Sequence, residues 1–170
     1  MNAAATATPA APEVARFLQT FGFEHRTTMN ALRALPAGKL GFRPHERNMS
    51  AGELAWHIAT SQHHLANCVA KGAFEMRTYT AAPASLDEIV AGCESYYQQT
   101  CEVLSGLTAE QLQAKIPLPG GHGIPASALM WNGVLFHQIH HRGQLTIYIR
   151  MMGGKVPSVY GPSGDENPYA

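Results

Sequence analysis

Met130, Val134, His137, His141, Leu145, Tyr148 and Met152 recur at three- and four-residue steps, the spacing of one face of an α-helix. That stripe is apolar except at two places, and both hold histidine. A chain with this pattern must turn imidazoles toward its own interior, where each polar group left without a partner costs about 1–3 kcal/mol. The fold therefore has to supply compensation. The i, i+4 pair His137 and His141 sits one turn apart, close enough for both rings to reach one metal ion. His140 competes as the i+3 partner of His137, and spacing alone leaves that choice open.

Two ligands make a weak site, and the candidate third is His57, in the strongly helical segment ELAWHIATSQHHL. Three neutral histidines at about 2.0–2.1 Å from a divalent ion leave a position for water or substrate, whereas a structural zinc site normally closes with a fourth residue, usually cysteine. Cys68 cannot close this one from the same helix, because eleven residues rise about 16 Å. His64 is displaced from His57 by about 10 Å and is placed at the mouth of the pocket instead. His25 falls in the apolar stripe of the first helix and is the residue to watch as a pocket or fourth-ligand histidine. Its alternative is a buried, hydrogen-bonded ring.

The rest of the chain reads as helices around this pair. Val14, Leu18, Phe21, Met29 and Leu32 give a first amphipathic helix over about 13–35. Ser50 with Glu53 and Ser85 with Glu88 are capping boxes that open a second helix over about 51–70 and a third that Gly106 stops. A short helical turn follows at 108–113, and Pro125 is placed at the first position of a long last helix running to Met152. Gly153 and Gly154 end it, and KVPSVYGPSGDENPYA is an extended strap. No strand-like alternation of useful length is found. The expected fold is all-α, with residues 1–11 a disordered tail and 12–170 one domain. Arg142 and Gln144 read as groups supporting the histidines or lying on the surface, and Gly143 as a close-packing point.

Composition narrows the function classes. Twelve Lys plus Arg balance twelve Asp plus Glu, so no net field points to nucleic acid or a membrane surface. Cys68, Cys93 and Cys101 form an odd set without close spacing, which suits a reducing compartment and no disulfide framework. With neither a signal-peptide pattern nor a membrane span, the expected location is the cytoplasm.

The segments MSAGELAWHIA, LFHQIHHRGQL and IRMMGGKVPSVYGPSGDE together resemble the DinB/YfiT-like superfamily of metalloenzymes, over residues 13 to 166. The resemblance implies a four-helix bundle with a crossed-over connection and a divalent metal, often zinc or nickel, held by three histidines. Carried over residue by residue, the ligands are His57, His137 and His141, with His140 a neighbour. It also implies a homodimer. Relatives of this kind include transferases and isomerases that use a low-molecular-weight thiol cosubstrate. The functions to be weighed are therefore a metal-dependent enzyme acting on a small molecule, by thiol transfer or isomerisation or else by hydrolysis, and a metal-binding, stress-associated protein without chemistry.

Overall fold

The computed structural model describes residues 11–170, so the tail expected over 1–11 lies outside the described residues except for its last member. Ala11 is buried, and its N–H donates to the Leu107 carbonyl at 3.2 Å. Helix α1 (Pro12–Arg33) starts there, with Pro12 in the first turn, where a missing N–H costs no helical hydrogen bond.

Helix α2 (Ala51–Lys71) opens with the full capping box: Ser50 accepts from the Glu53 amide and the Glu53 carboxylate accepts from the Ser50 amide. It closes at Gly72, whose φ of 66° places it in the left-handed region. Helix α3 (Leu86–Ser105) begins with the same box at Ser85 and Glu88. A short helix α4 (Ala109–Gln113), capped by Thr108 and Gln111, leads into two three-residue strands, β1 (Lys115–Pro117) and β2 (Gly123–Pro125), paired antiparallel. This hairpin was not expected. Its strands are too short for alternation to register, and only the Gly120–Gly121 pair at positive φ, which turns the chain, marks it.

The last long helix also departs from expectation. It is a composite of α5 (Ala126–Leu129), a π-helical segment over Met130–Phe136 and α6 (His137–Met151), with Pro125 as the cap rather than the first helical residue. A π segment widens the turn by one residue and so re-aims everything after it. Here the next residue is His137. Gly133 lies within the segment where the Leu129 side chain folds back: a Cβ there would stand 2.9 Å from Leu129, whereas Leu65 of α2 at 3.5 Å is an ordinary contact.

Helix α1 packs against α3 and α6, and α2 packs against the same two, which sets α1 and α2 across the bundle from one another. Consecutive helices on a diagonal require the crossed-over connection. Gly92 of α3 makes room for the Trp56 ring of α2, which a Cβ there would meet at 2.5 Å. The core is in two parts. Phe17, Phe21, Met130 and Val134 belong to one, and Leu32, Ile58, Ile89, Leu145 and Ile149 to the other. Buried polar side chains, among them His25, Glu24, His57, Gln138 and Arg142, come from the same helices. Among the described residues no helix is long and apolar enough to cross a membrane.

A candidate metal centre at the waist of the bundle

His57 sits two turns into α2, while His137 and His141 are one turn apart at the start of α6. Their Nε2 atoms converge: His57 to His141 is 3.1 Å, His57 to His137 is 3.4 Å and His137 to His141 is 3.0 Å. No assignment of protons satisfies this triangle. A neutral ring nitrogen is either an N–H donor or a lone-pair acceptor, so among three at least one pair faces like with like. A cation resolves the conflict by accepting all three lone pairs. A tetrahedral ion with bonds of about 2.0–2.1 Å sets its ligands roughly 3.3–3.4 Å apart, close to the separations found. The residues present therefore fit the ion.

The surroundings keep the rings neutral. Burial, followed by the neighbouring His141, His137 and Arg77, pushes the His57 pKa down to about 3. Burial likewise pushes His137 down to about 4, helped by His141, His140 and Arg77. His141 is lowered by burial too, against an opposing hydrogen bond to Gln144. Gln144 Oε1 lies 2.7 Å from His141 Nδ1, and its amide nitrogen lies 3.2 Å from His140 Nε2. An amide oxygen can only accept, so His141 carries its proton on Nδ1 and presents the Nε2 lone pair to the triangle.

These pKa values set a pH dependence for the metal-free protein. Imidazoles held at about 3 and about 4 in the fold titrate at the ordinary 6.5 once unfolded, so between those limits the unfolded chain binds more protons. Stability is then level above about pH 7 and falls as the pH drops from 6.5 toward 4. Urea midpoints measured across that range with a chelator present check the sign; a flat profile would contradict it.

The other histidines are placed as follows. His64 lines a cavity of about 220 Å³ together with His57, Ser61, Phe74, Arg77 and His137, and its Nε2 bonds the Glu75 carbonyl at 2.8 Å. His140 is exposed beside His141. His25 is elsewhere: its Nε2 meets the Glu94 carboxylate at 3.1 Å and its ring stacks on Tyr97 at 3.8 Å, so it neither ligates nor lines the histidine pocket. The apolar stripe of α1 turned it inward correctly, but toward α3. Arg142 is buried against α1 and not beside the histidines, and Gly143 is exposed rather than a packing point. Among the described residues no fourth histidine, cysteine or carboxylate joins the triad.

Sequence reasoning missed Arg77 and Tyr79. Both belong to the irregular linker between α2 and α3, where no periodicity could single them out. Tyr79 stacks nearly parallel to His57 at 6.2 Å, with the Arg77 guanidinium 4.6 Å over its ring.

A crossed-over helical bundle with three convergent imidazoles between its second and last helices defines the class to which this chain belongs. The sequence profile of the DinB family matches residues 1–167, and the chain is a member of the DinB family. It is 33% identical over 132 residues to the Bacillus subtilis protein YjoA, covering 76% of this chain and 84% of that one. The crystal structure of that DinB-like protein superposes with a TM-score of 0.71 at 28% identity, over 85% of this chain and 96% of the other. A DinB-like protein from Bacillus cereus gives a TM-score of 0.71 at 29% identity, over 85% and 95%. A DinB family member from Exiguobacterium sibiricum, at 16% identity and a TM-score of 0.65 over 88% and 97%, shares the fold.

Proposed function

We propose that the chain is a divalent-metal-dependent enzyme acting on a small molecule with a low-molecular-weight thiol as cosubstrate, as an S-transferase or isomerase. The observation that carries this reading is the triangle of neutral imidazoles at 3.0–3.4 Å, with no fourth protein ligand among the described residues and a cavity beside it. Nitrogen donors of this kind suit zinc or nickel. When bound, such an ion supplies Lewis acidity that makes a thiol or water nucleophilic near pH 7.

The chain's own residues do the rest. His57, His137 and His141 hold the ion, and Gln144 fixes the tautomer of His141. Leu65 and Phe74 give the cavity an apolar wall, Met76 and Tyr79 stand exposed at its rim, and about 220 Å³ admits only a small substrate. The thiol has to come from solution, because none of the chain's cysteines faces the triad. Cys68 lies 3.7 Å from His64 Nε2, Cys93 is buried with its pKa pushed up to about 12, and Cys101 bonds Tyr97.

The test is turnover of a panel of small electrophiles by protein loaded with zinc or nickel, with and without bacterial thiols. The expected result is a rate that needs both metal and thiol and disappears in His57→Ala. Thiol-independent hydrolysis that disappears in the same variant would move the reading to a hydrolase. No turnover with any thiol would overturn the thiol-dependent reading.

A further inference from the structure

Arg77 is a cation without a counter-ion at the entrance to the histidine site. Among the described residues no carboxylate lies within ion-pair distance of it, and none of the residues lining the cavity it shares with His57 and His137 is acidic. Three carboxylates share the neighbouring grooves with Arg77: Glu46 lies beyond ion-pair distance of it, and the other two are paired with other cations. Glu53, in the wider groove on the other side of Arg77, pairs with Arg43 at 2.8 Å, and Glu75 pairs with Lys71 at 2.8 Å.

The linker that carries Arg77 is pinned on both sides. Glu75 is held by Lys71 and by His64 on its carbonyl, and Thr80 accepts from the Trp56 indole at 3.1 Å. Arg77 is thus presented to the site by a loop tied to α2 at two points. Its Nη1 lies 3.5 Å from His57 Nδ1. A histidine that ligates through Nε2 carries its proton on Nδ1, and a guanidinium has donors and no acceptor. In the ligating tautomer the two N–H groups therefore face one another across 3.5 Å, so Arg77 has no acceptor in His57, and an anionic oxygen seated beside the pair can accept from both.

We propose that Arg77 and His57 Nδ1 form a carboxylate-binding subsite beside the metal centre, so that the small molecule this site takes carries a carboxylate. This rests on the metal-site reading given above. Arg77 is the one Lys or Arg lining the cavity, which matches a single negative charge on a small body and favours a carboxylate over a doubly charged phosphate.

The test uses cobalt-loaded protein and two probe thiols of similar size, mercaptoacetate, which carries a carboxylate, and 2-mercaptoethanol, which does not. Thiolate coordination gives a charge-transfer band from which each Kd is read. The expected result is that mercaptoacetate gains about tenfold to a hundredfold over mercaptoethanol from the charged contact. In Arg77→Met that preference falls to within about threefold, because mercaptoacetate weakens while mercaptoethanol is unchanged. Arg77→Lys, which keeps the charge and loses the planar fork, lies between. Melting curves confirm that both variants are folded, and Arg77→Gln gives the same comparison should either fail. A preference that is absent in the parent chain, or equal in parent and Arg77→Met, overturns the subsite and leaves the metal centre standing. Absence of the cobalt bands before any thiol is added removes the metal centre and the subsite together.

Discussion

His137→Ala is expected to bind no divalent ion and to melt at the same temperature with and without zinc, whereas the parent chain gains on the order of 10 °C on loading. The size follows from linkage. An ion at about 1,000 times its Kd stabilises the state that binds it by about 4 kcal/mol, and in a chain of this length each kcal/mol moves the melting point by about 2–4 °C. The metal-free comparison makes the prediction specific. Without an ion, the Nε2 atoms at 3.0–3.4 Å leave at least one pair opposed, and the lowered His57 and His137 pKa values record that these rings are held neutral by burial. Removing one ring relieves part of that opposition. The metal-free variant should therefore melt within about 3 °C of the metal-free parent, unlike an ordinary core truncation of similar size, which costs about 3 kcal/mol or more. Differential scanning fluorimetry with added zinc or with chelator, on parent, His57→Ala and His137→Ala, measures every quantity needed. A zinc shift that survives in both variants would mean that the ion binds elsewhere.

The features legible in the sequence were those with a local cause. Ser50 with Glu53 and Ser85 with Glu88 satisfy orphan amides within four residues of chain, so the helix starts they mark are the ones observed. His137 and His141 were legible as an inward pair because periodicity reports the face of a helix. Their partner His57 was named from its place in a second helical segment and from the family resemblance rather than from periodicity, since the diagonal placement of α1 and α2 is a property of the connection and not of either helix. His25 shows the limit: its stripe gave inward burial, and only the packing of α3 shows that it meets Glu94 and Tyr97 instead of the triad. The π segment was hidden for a related reason. Met130, Val134 and His137 keep three- and four-residue steps through it, and the Gly133 that makes room for Leu129 looks in the sequence like any helical glycine. Arg77 was beyond reach, because its role depends on how Glu75 and Thr80 tie the linker down.

Arg142→Met is expected to lower the melting temperature by roughly 6–20 °C while leaving metal binding in place. Arg142 is only 1% exposed, and its Nη1 pairs with Glu24 Oε2 at 2.7 Å and donates to the Glu24 carbonyl at 3.1 Å and to Thr28 Oγ1 at 3.3 Å. Its other terminal nitrogen donates to the Tyr160 hydroxyl, which in turn donates to Glu24 Oε2 at 2.8 Å. One guanidinium thus joins α6, α1 and the C-terminal strap. Deleting it leaves the buried Glu24 carboxylate uncompensated, a loss of about 3–5 kcal/mol, which at about 2–4 °C per kcal/mol gives the range stated. Pairing it with Glu24→Gln removes the stranded charge, so the double variant should recover at least half of the loss. The strap supplies an independent readout. It is also held by Asp165, which pairs with Arg150 at 2.6 Å and accepts from the Val156 amide at 2.8 Å, so loss of the Tyr160 anchor should loosen the strap without releasing it entirely. Trypsin should then cut faster after the exposed Lys155 in Arg142→Met than in the parent chain. Zinc binding should persist, because the triad joins α6 to α2 whereas Arg142 joins α6 to α1. If the variant lost its metal along with its stability, the two faces of α6 would have to be treated as one coupled unit.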